Sequence, residues 1–264
     1  MLLRQLFNHP TFGYTYVLAD PDTMDAAIID PVKGKMRDYV QLFSEFGLDL
    51  KVAIDTHSHD DHASALGSLR DLWNCETVAG RWDEDITNPL RNGDEIAVGN
   101  MTLKAMHTPG HTSDSFSFLI ERPDKRAVFT GDTLLVRTVG LSNQPTSNPR
   151  KHYTSLVDVL AKLPPDTIVY PGRDFKGWPL STIREELAFN PYLLAGSLVE
   201  FVELKAIQKP ADIRPLVVFR EEDEQGTVSK QAAKPGDFYL PGERGLRSVD
   251  NSASDSDDNI TSWR

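Results

Sequence analysis

The hexapeptide His57-Ser58-His59-Asp60-Asp61-His62 places five potential metal ligands within six residues, and three of the chain's 7 His lie in it. Imidazoles and carboxylates together suit divalent cations such as zinc and iron. The apolar run Val52-Ala53-Ile54 precedes the cluster, and a helix-like segment, Ala63 to Trp73, follows it. In an extended segment residues i and i+2 point to the same side, so His57 and His59 can converge on one ion. Asp61 and His62 then arrive from the start of the helix, and such a corner can surround one or two cations. Two further candidates lie downstream. His111 sits in the Pro-Gly turn of His107-Thr108-Pro109-Gly110-His111-Thr112. Asp132 follows the buried run of Phe129-Thr130-Gly131-Asp132, where Gly131 lets the backbone bend.

The elements that must position these residues alternate along the chain. Gly13 to Asp20 and Ala26 to Asp30 read as two strands joined by a Pro/Asp turn. Residues 36–47 carry Val40, Leu42, Phe43 and Phe46 at helical spacing, and Lys51 to Ile54 is a short buried strand. Glu76 to Ala79 reads as a strand, Asp94 to Leu103 as a hairpin turning at Gly99-Asn100, and Ser115 to Ile120 and Ala127 to Thr130 as two more strands. A helix over Tyr153 to Leu163, a strand over Thr167 to Tyr170 and a helix over Ser181 to Phe189, capped by Ser181 or Thr182, complete the series. Two similar halves of strands with interleaved helices predict an α+β protein, a sandwich of two mixed sheets with helices on both outer faces.

With 264 residues, 39% hydrophobic and 25% charged, the chain can build a large core as one soluble domain. The expected domain spans 1–240, and the Ser/Asp-rich stretch 241–264 reads as a disordered acidic tail. Glu221-Glu222-Asp223-Glu224 reads as a solvated charge run. A net charge of −11 argues against a nucleic-acid surface, which needs clustered Lys and Arg. No stretch approaches the roughly 18 apolar residues of a membrane span, and the first residues are too short an apolar run for a signal peptide. Cys75, the only cysteine, excludes an intrachain disulfide and a Cys-based zinc site. A lone thiol fits a reducing compartment, so the expected location is cytoplasmic. The oligomeric state is left open, a homodimer included.

Taken together, these motifs resemble the metallo-β-lactamase superfamily, whose pattern is His-x-His-x-Asp-His, then Gly-His, then Gly-Asp. Within it the chain looks most like the persulfide dioxygenases over roughly residues 2–192. The likeness runs through Leu2-Leu3-Arg4-Gln5, Ile28-Ile29-Asp30-Pro31-Val32, Thr56 to His62, Ser68-Leu69-Arg70, Pro109 to Thr112, Phe129 to Asp132 and Leu134-Leu135-Val136-Arg137. The resemblance implies a metallo-β-lactamase fold and one iron(II) held by His57, His111 and Asp132. Two His and one carboxylate form the facial triad of non-haem iron oxygenases. His59, Asp61 and His62 would orient ligands and water beside it, with Asp61 and His62 as the catalytic candidates. Tyr170, Arg137 and Arg173 would meet the substrate, Arg137 by pairing with a carboxylate. The implied reaction is oxidation of glutathione persulfide, or a similar small persulfide, by O₂ to thiol and sulfite.

The thiolesterases of the same superfamily, which resemble hydroxyacylglutathione hydrolase, hold two metals. There His57, His59, Asp61, His62, His111 and Asp132 would all be ligands, with one more His late in the chain. Family members carry that His in Pro-Ala-His-Asp, whereas this chain reads Pro171-Gly172-Arg173-Asp174 and has no His after His152. Arg173 brings a permanent positive charge to that position, which disfavours a second cation. A second departure is the loop Gly140-Leu141-Ser142-Asn143-Gln144, where persulfide dioxygenases usually read Gly-Arg-Thr-Asp-Phe. If that loop shapes a glutathione pocket, the change points to a different persulfide. Two alternatives follow: a zinc-dependent hydrolase of a thioester or lactone, and a non-catalytic relative that keeps the fold and a metal.

Overall fold

Strand β2 (Gly13–Ala19) shows why two cores form, because its neighbouring side chains face opposite ways. Tyr16 and Leu18 enter one hydrophobic cluster, and Val17 and Ala19 enter another. In the computed structural model, residues 1–122 and 125–208 are described in full, with the backbone of 218–222 and 228–232.

The first sheet has six strands in sequence order: β1 (Leu2–Asn8), β2, β3 (Asp25–Ile29), β4 (Asp49–Ile54), β5 (Glu76–Ala79) and β6 (Asn88–Pro89). Pairing is antiparallel from β1 to β3 and parallel from β3 to β6. The second sheet also has six: β7 (Glu95–Val98), β8 (Met101–His107), β9 (Phe116–Glu121), β10 (Arg126–Gly131), β11 (Ile168–Pro171) and β12 (Ser181–Thr182). Only β10 and β11 pair in parallel there; the other neighbours are antiparallel. Parallel neighbours need a crossover: helices supply it from β3 to β4, β4 to β5 and β10 to β11, and an irregular segment joins β5 to β6.

Between the sheets, Leu18, Ile29 and Ile54 meet Leu103, Phe118 and Phe129 in one buried core. The outer face of the first sheet is covered by α1 (Met36–Phe46) and α2 (Leu66–Trp73), through Tyr39, Phe43, Leu66 and Leu69. The outer face of the second carries a helical stretch beginning with α3 (Pro149–Thr154), then α4 (Ile183–Phe189) and α5 (Leu198–Ile207). The fold is therefore the expected αββα sandwich of mixed sheets.

Several details differ from the sequence reading. Helix α2 starts at Leu66 rather than Ala63, because the Ser64 hydroxyl accepts from the Leu66 N–H and the chain before it is irregular. Asp61 and His62 thus sit on a loop. Strand β1 and helix α5 were not anticipated. In β1 the polar Gln5 is buried, satisfied by Tyr16 Oη and the Pro179 carbonyl, which breaks the apolar alternation. Helix α5 did carry a signal: Ser197 caps it by accepting from the Glu200 N–H, in a Ser-x-x-Glu pattern. Glu221 and Glu222, read as part of a charge run, end strand β13 (Val218–Glu222), which pairs antiparallel with β14 (Val228–Ala232). The expected domain limit near 240 and the tail 241–264 lie outside the described residues. Among the described residues no helix is long and apolar enough to cross a membrane. Cys75 is buried in the core under α1 and α2.

Candidate metal centre

The three residues expected to hold iron all follow strand ends on one rim of the sandwich. His57 follows β4, His111 lies on the loop between β8 and β9, and Asp132 follows β10. One ligand atom from each lies within 4.8 Å of the others, and all three residues are buried.

Each ligand is oriented by its own partner. The Asp30 carboxylate, just after β3, accepts from the Thr56 N–H at 2.7 Å and the Thr56 hydroxyl at 2.9 Å. That hydroxyl has its one proton committed to Asp30, so at 2.8 Å it accepts from His57 Nδ1–H. His57 Nε2 keeps its lone pair for a metal. His111 Nδ1 lies 2.8 Å from the Leu141 carbonyl and donates to it, which again leaves Nε2 free. His111 Nε2 and Asp132 Oδ1 are buried without a hydrogen-bond partner, a costly condition that a bound cation removes. Glycines permit this close assembly. Gly131 has φ +49°, and a side chain there would strike Thr56; Gly110 has φ +149° and lies against the His152 backbone. Burial, reinforced by the neighbouring His59 ring, pushes the His57 pKa down to about 3. The imidazole is neutral at pH 7, as a ligand must be. For Asp132, burial alone would favour protonation, but the Arg173 guanidinium and the two His hold it well below the usual carboxylate range. The donor set fits a 2-His-1-carboxylate metal site.

His59 does not converge with His57 on one ion. Its Nε2 meets Asp30 Oδ1 at 3.1 Å, and its Nδ1 joins Asp61 and His62 in a second group of potential ligands. Burial opposes charging His59, but Asp30 outweighs it and raises the pKa to about 9. His62 Nδ1 contacts Asp61 Oδ1 at 3.1 Å, and His62 Nε2 is buried without a partner.

Arg173 connects the two groups. Its Nε donates to Asp132 Oδ2 at 2.6 Å and its Nη1 to Asp61 Oδ2 at 2.9 Å, with a further bond to the Thr11 carbonyl at 3.2 Å. Backbone bonds from Gly172 N–H to the Gly131 carbonyl and from Asp174 N–H to the Phe12 carbonyl, both 2.8–2.9 Å, hold the segment in place. The guanidinium thus lies between the Asp61 and Asp132 carboxylates. A narrow cleft over it is lined by Tyr14, His59, Asp61, His62, Asp132 and Arg173.

Two expected substrate contacts lie elsewhere. Tyr170 is 1% exposed and stacks on Phe129 at 5.1 Å in the core between the sheets, so it does not face the cleft. Arg137 pairs with the protein's own Glu186, which is fully buried, and bonds Ser181 Oγ at 3.1 Å. Its backbone N–H also donates to Glu186 at 2.9 Å. The carboxylate it binds therefore comes from α4. Sequence reasoning missed Thr56, the Leu141 carbonyl and the ligand-orienting role of Asp30, since such contacts carry no motif.

Residues 9–173 match the Metallo-beta-lactamase superfamily. A persulfide dioxygenase of Homo sapiens, named as mitochondrial, is 34% identical over 218 residues, 81% of this chain and 85% of that protein. The crystal structure of ETHE1 from Myxococcus xanthus aligns with a TM-score of 0.75 at 36% identity, covering 81% of this chain and 94% of that one. A probable hydroxyacylglutathione hydrolase of Schizosaccharomyces pombe is 32% identical over 166 residues, 62% of this chain and 64% of that protein. The chain belongs to the metallo-beta-lactamase superfamily and, within it, to the group of the persulfide dioxygenases.

Proposed function

We propose that this protein is a mononuclear non-haem iron dioxygenase that converts a small persulfide, O₂ and water into the thiol and sulfite. Its oxidoreductase class follows from its group; the iron and the persulfide are our reading. The observation that carries it is the Arg173 guanidinium between Asp61 and Asp132, which puts a fixed cation where a second metal would sit. Iron(II), when bound, supplies activation of O₂ and a binding position for the persulfide sulfur. His57 and His111 present their Nε2 atoms, and Asp132 presents Oδ1. Asp61 holds His62 by its Nδ1, which leaves His62 Nε2 free to take the persulfide proton. Against burial, the His62 contact and Arg173 lower the Asp61 pKa, Arg173 and the two His lower that of Asp132, and Arg173 faces the same cleft. Next to it, a second small cleft lined by Leu135, Val136, Thr138, Arg173, Asp174, Phe175 and Lys176 offers an apolar wall and two cations beside one carboxylate. Lys176 forms no ion pair among the described residues, so it takes over from Arg137 as the candidate for a substrate carboxylate, as in glutathione persulfide.

The zinc hydrolase reading, which came from the likeness to the thiolesterases and which the yeast relative's name also supports, needs a second ion, and the fixed charge of Arg173 disfavours one there. Metal analysis of the purified protein, followed by O₂ uptake with glutathione persulfide, tests the two. About one iron per chain with sulfite formed supports the dioxygenase. Two zinc ions per chain with thioester cleavage and no O₂ consumed would overturn it. The single buried thiol fits a reducing compartment, cytoplasmic in this reading, although the human, mouse and cattle relatives are named as mitochondrial.

A further inference from the structure

Lys205, on α5, is 5% exposed, yet among the described residues no carboxylate pairs with it. Its Nζ contacts the Gly140 carbonyl at very short range and Gln208 Oε1 at 2.6 Å. Burying an ammonium against neutral acceptors is unfavourable, and the Tyr192 ring, 5.9 Å from Nζ, offsets part of that cost. Burial lowers its pKa to about 7, and Asp132 is the one charge that opposes this.

What the contact arranges is the support of two metal ligands. Gly140 N–H donates to the Asp132 carbonyl at 2.8 Å, and the next carbonyl, Leu141, accepts from His111 Nδ1 at 2.8 Å. A side chain on Gly140 would come within 2.3 Å of the Asp132 carbonyl and 2.9 Å of His111 Nδ1, so this peptide touches both ligand residues. From the other side, Gln208 Nε2 donates to the Val139 carbonyl at 2.8 Å. Three successive carbonyls, 139, 140 and 141, are thereby assigned to Gln208, Lys205 and His111. With the Gly140 carbonyl held by Lys205, the adjoining peptide is restrained from turning the Leu141 carbonyl away from the imidazole.

We infer that Lys205 is a positioning residue for the metal centre: through the Gly140 carbonyl it fixes the peptide just before the Leu141 carbonyl, and that carbonyl holds His111 with Nε2 toward the metal. The inference rests on His111 being a ligand, and it goes beyond the family pattern by bringing in a helix that carries no metal-ligand motif. Partners of this kind, one step removed from the metal, commonly contribute about 10- to 100-fold to metal affinity.

The test is a metal titration of the full-length protein with cobalt(II) as probe, in competition with a chelator, with the visible ligand-field spectrum recorded. Lys205→Met is expected to weaken cobalt binding about tenfold and to change the spectrum. For Lys205→Ala, added propylammonium chloride, but not an equal concentration of potassium chloride, should restore affinity. Phe201→Leu, a packing change on the same helix, should leave affinity as in the wild type even if it lowers the melting temperature. Wild-type affinity and spectrum in folded Lys205→Met would overturn the inference while His111→Ala still loses metal. Full metal affinity in His111→Ala would instead overturn the ligand assignment beneath it. Should Lys205→Met not fold, Gln208→Ala is read in the same way: a severalfold loss of affinity supports the clamp, and unchanged affinity overturns it.

Discussion

Arg173 Nε lies 2.6 Å from Asp132 Oδ2, so a permanent cation shares a carboxylate with the proposed metal. The same guanidinium reaches Asp61, and its fixed fork matches two carboxylates as a spherical ion would. The site therefore carries its second positive charge in the polypeptide.

This relationship predicts a change of metal count. Arg173→His removes the guanidinium and adds the missing type of ligand beside Asp61, His62 and Asp132. Elemental analysis should give about one metal per chain for the wild type and close to two for the variant. Arg173→Ala, lacking both cation and ligand, leaves the buried Asp132 carboxylate without its cation and should lose about 3 kcal/mol of stability without metal. Added divalent ion should restore more of the melting temperature in that variant than in the wild type.

The two groups of His and Asp should separate on substitution. Asp132→Ala is expected to lose iron, because it removes the only carboxylate of the triad. His62→Ala should retain most of its iron while turnover falls by about 10²- to 10⁴-fold, the usual range for a lost acid–base group. Iron content and O₂ uptake measured on the same preparations decide this. Loss of iron in His62→Ala together with full retention in Asp132→Ala would reverse the assignment.

Acid should destabilise the fold through His152. It is fully buried, and its Nε2 donates to the Thr133 carbonyl at 2.7 Å. Burial, with the nearby Lys205 charge, lowers its pKa to about 3, against about 6.5 in the unfolded chain. Between those values the unfolded state binds more protons, so this contribution is complete above pH 6.5 and is lost as pH falls toward 3. The loss from His152 approaches about 1.4 kcal/mol per pH unit at most. Urea midpoints at pH 7, 6 and 5 should fall, and less steeply in His152→Gln, which cannot be charged. His59, raised to about 9 by Asp30, loses its contribution only as pH rises from 6.5 toward 9, outside that acid window.

Arg137 should be a matter of stability more than of substrate. Arg137→Met leaves the Glu186 carboxylate buried without its cation and should cost about 3 kcal/mol. Urea denaturation reads that loss, while KM for the persulfide stays near the wild-type value. A large rise in KM with unchanged stability would return Arg137 to the substrate. Lys176→Met is expected to show that KM effect instead.

Much of the fold was legible because β9 alternates in sequence and β10 is a compact apolar run, patterns that mark strands even though both are buried on their two faces. The closeness of the three candidate ligands has a related basis: His57, His111 and Asp132 each come after a strand end on one rim, in a pattern that the resemblance recognises. Strand β1 escaped because a buried Gln5 breaks its alternation, and only Tyr16 and Pro179 make that tolerable. Arg137 and Tyr170 were legible as residues of the subgroup, but their partners, Glu186 and Phe129, were not.

By itself the sequence determined which side chains can hold a metal, that the chain builds a two-sheet sandwich, and that the last His of a binuclear site is missing. Only the tertiary structure decided what fills that place. Arg173 meets Asp132 across 41 residues and Asp61 across 112, and Lys205 meets Gly140 across 65. Such contacts depend on how strand ends and helices are packed side by side, to within fractions of an ångström. Hydrogen bonds weaken steeply with distance and angle, so no local pattern in the chain could have specified them.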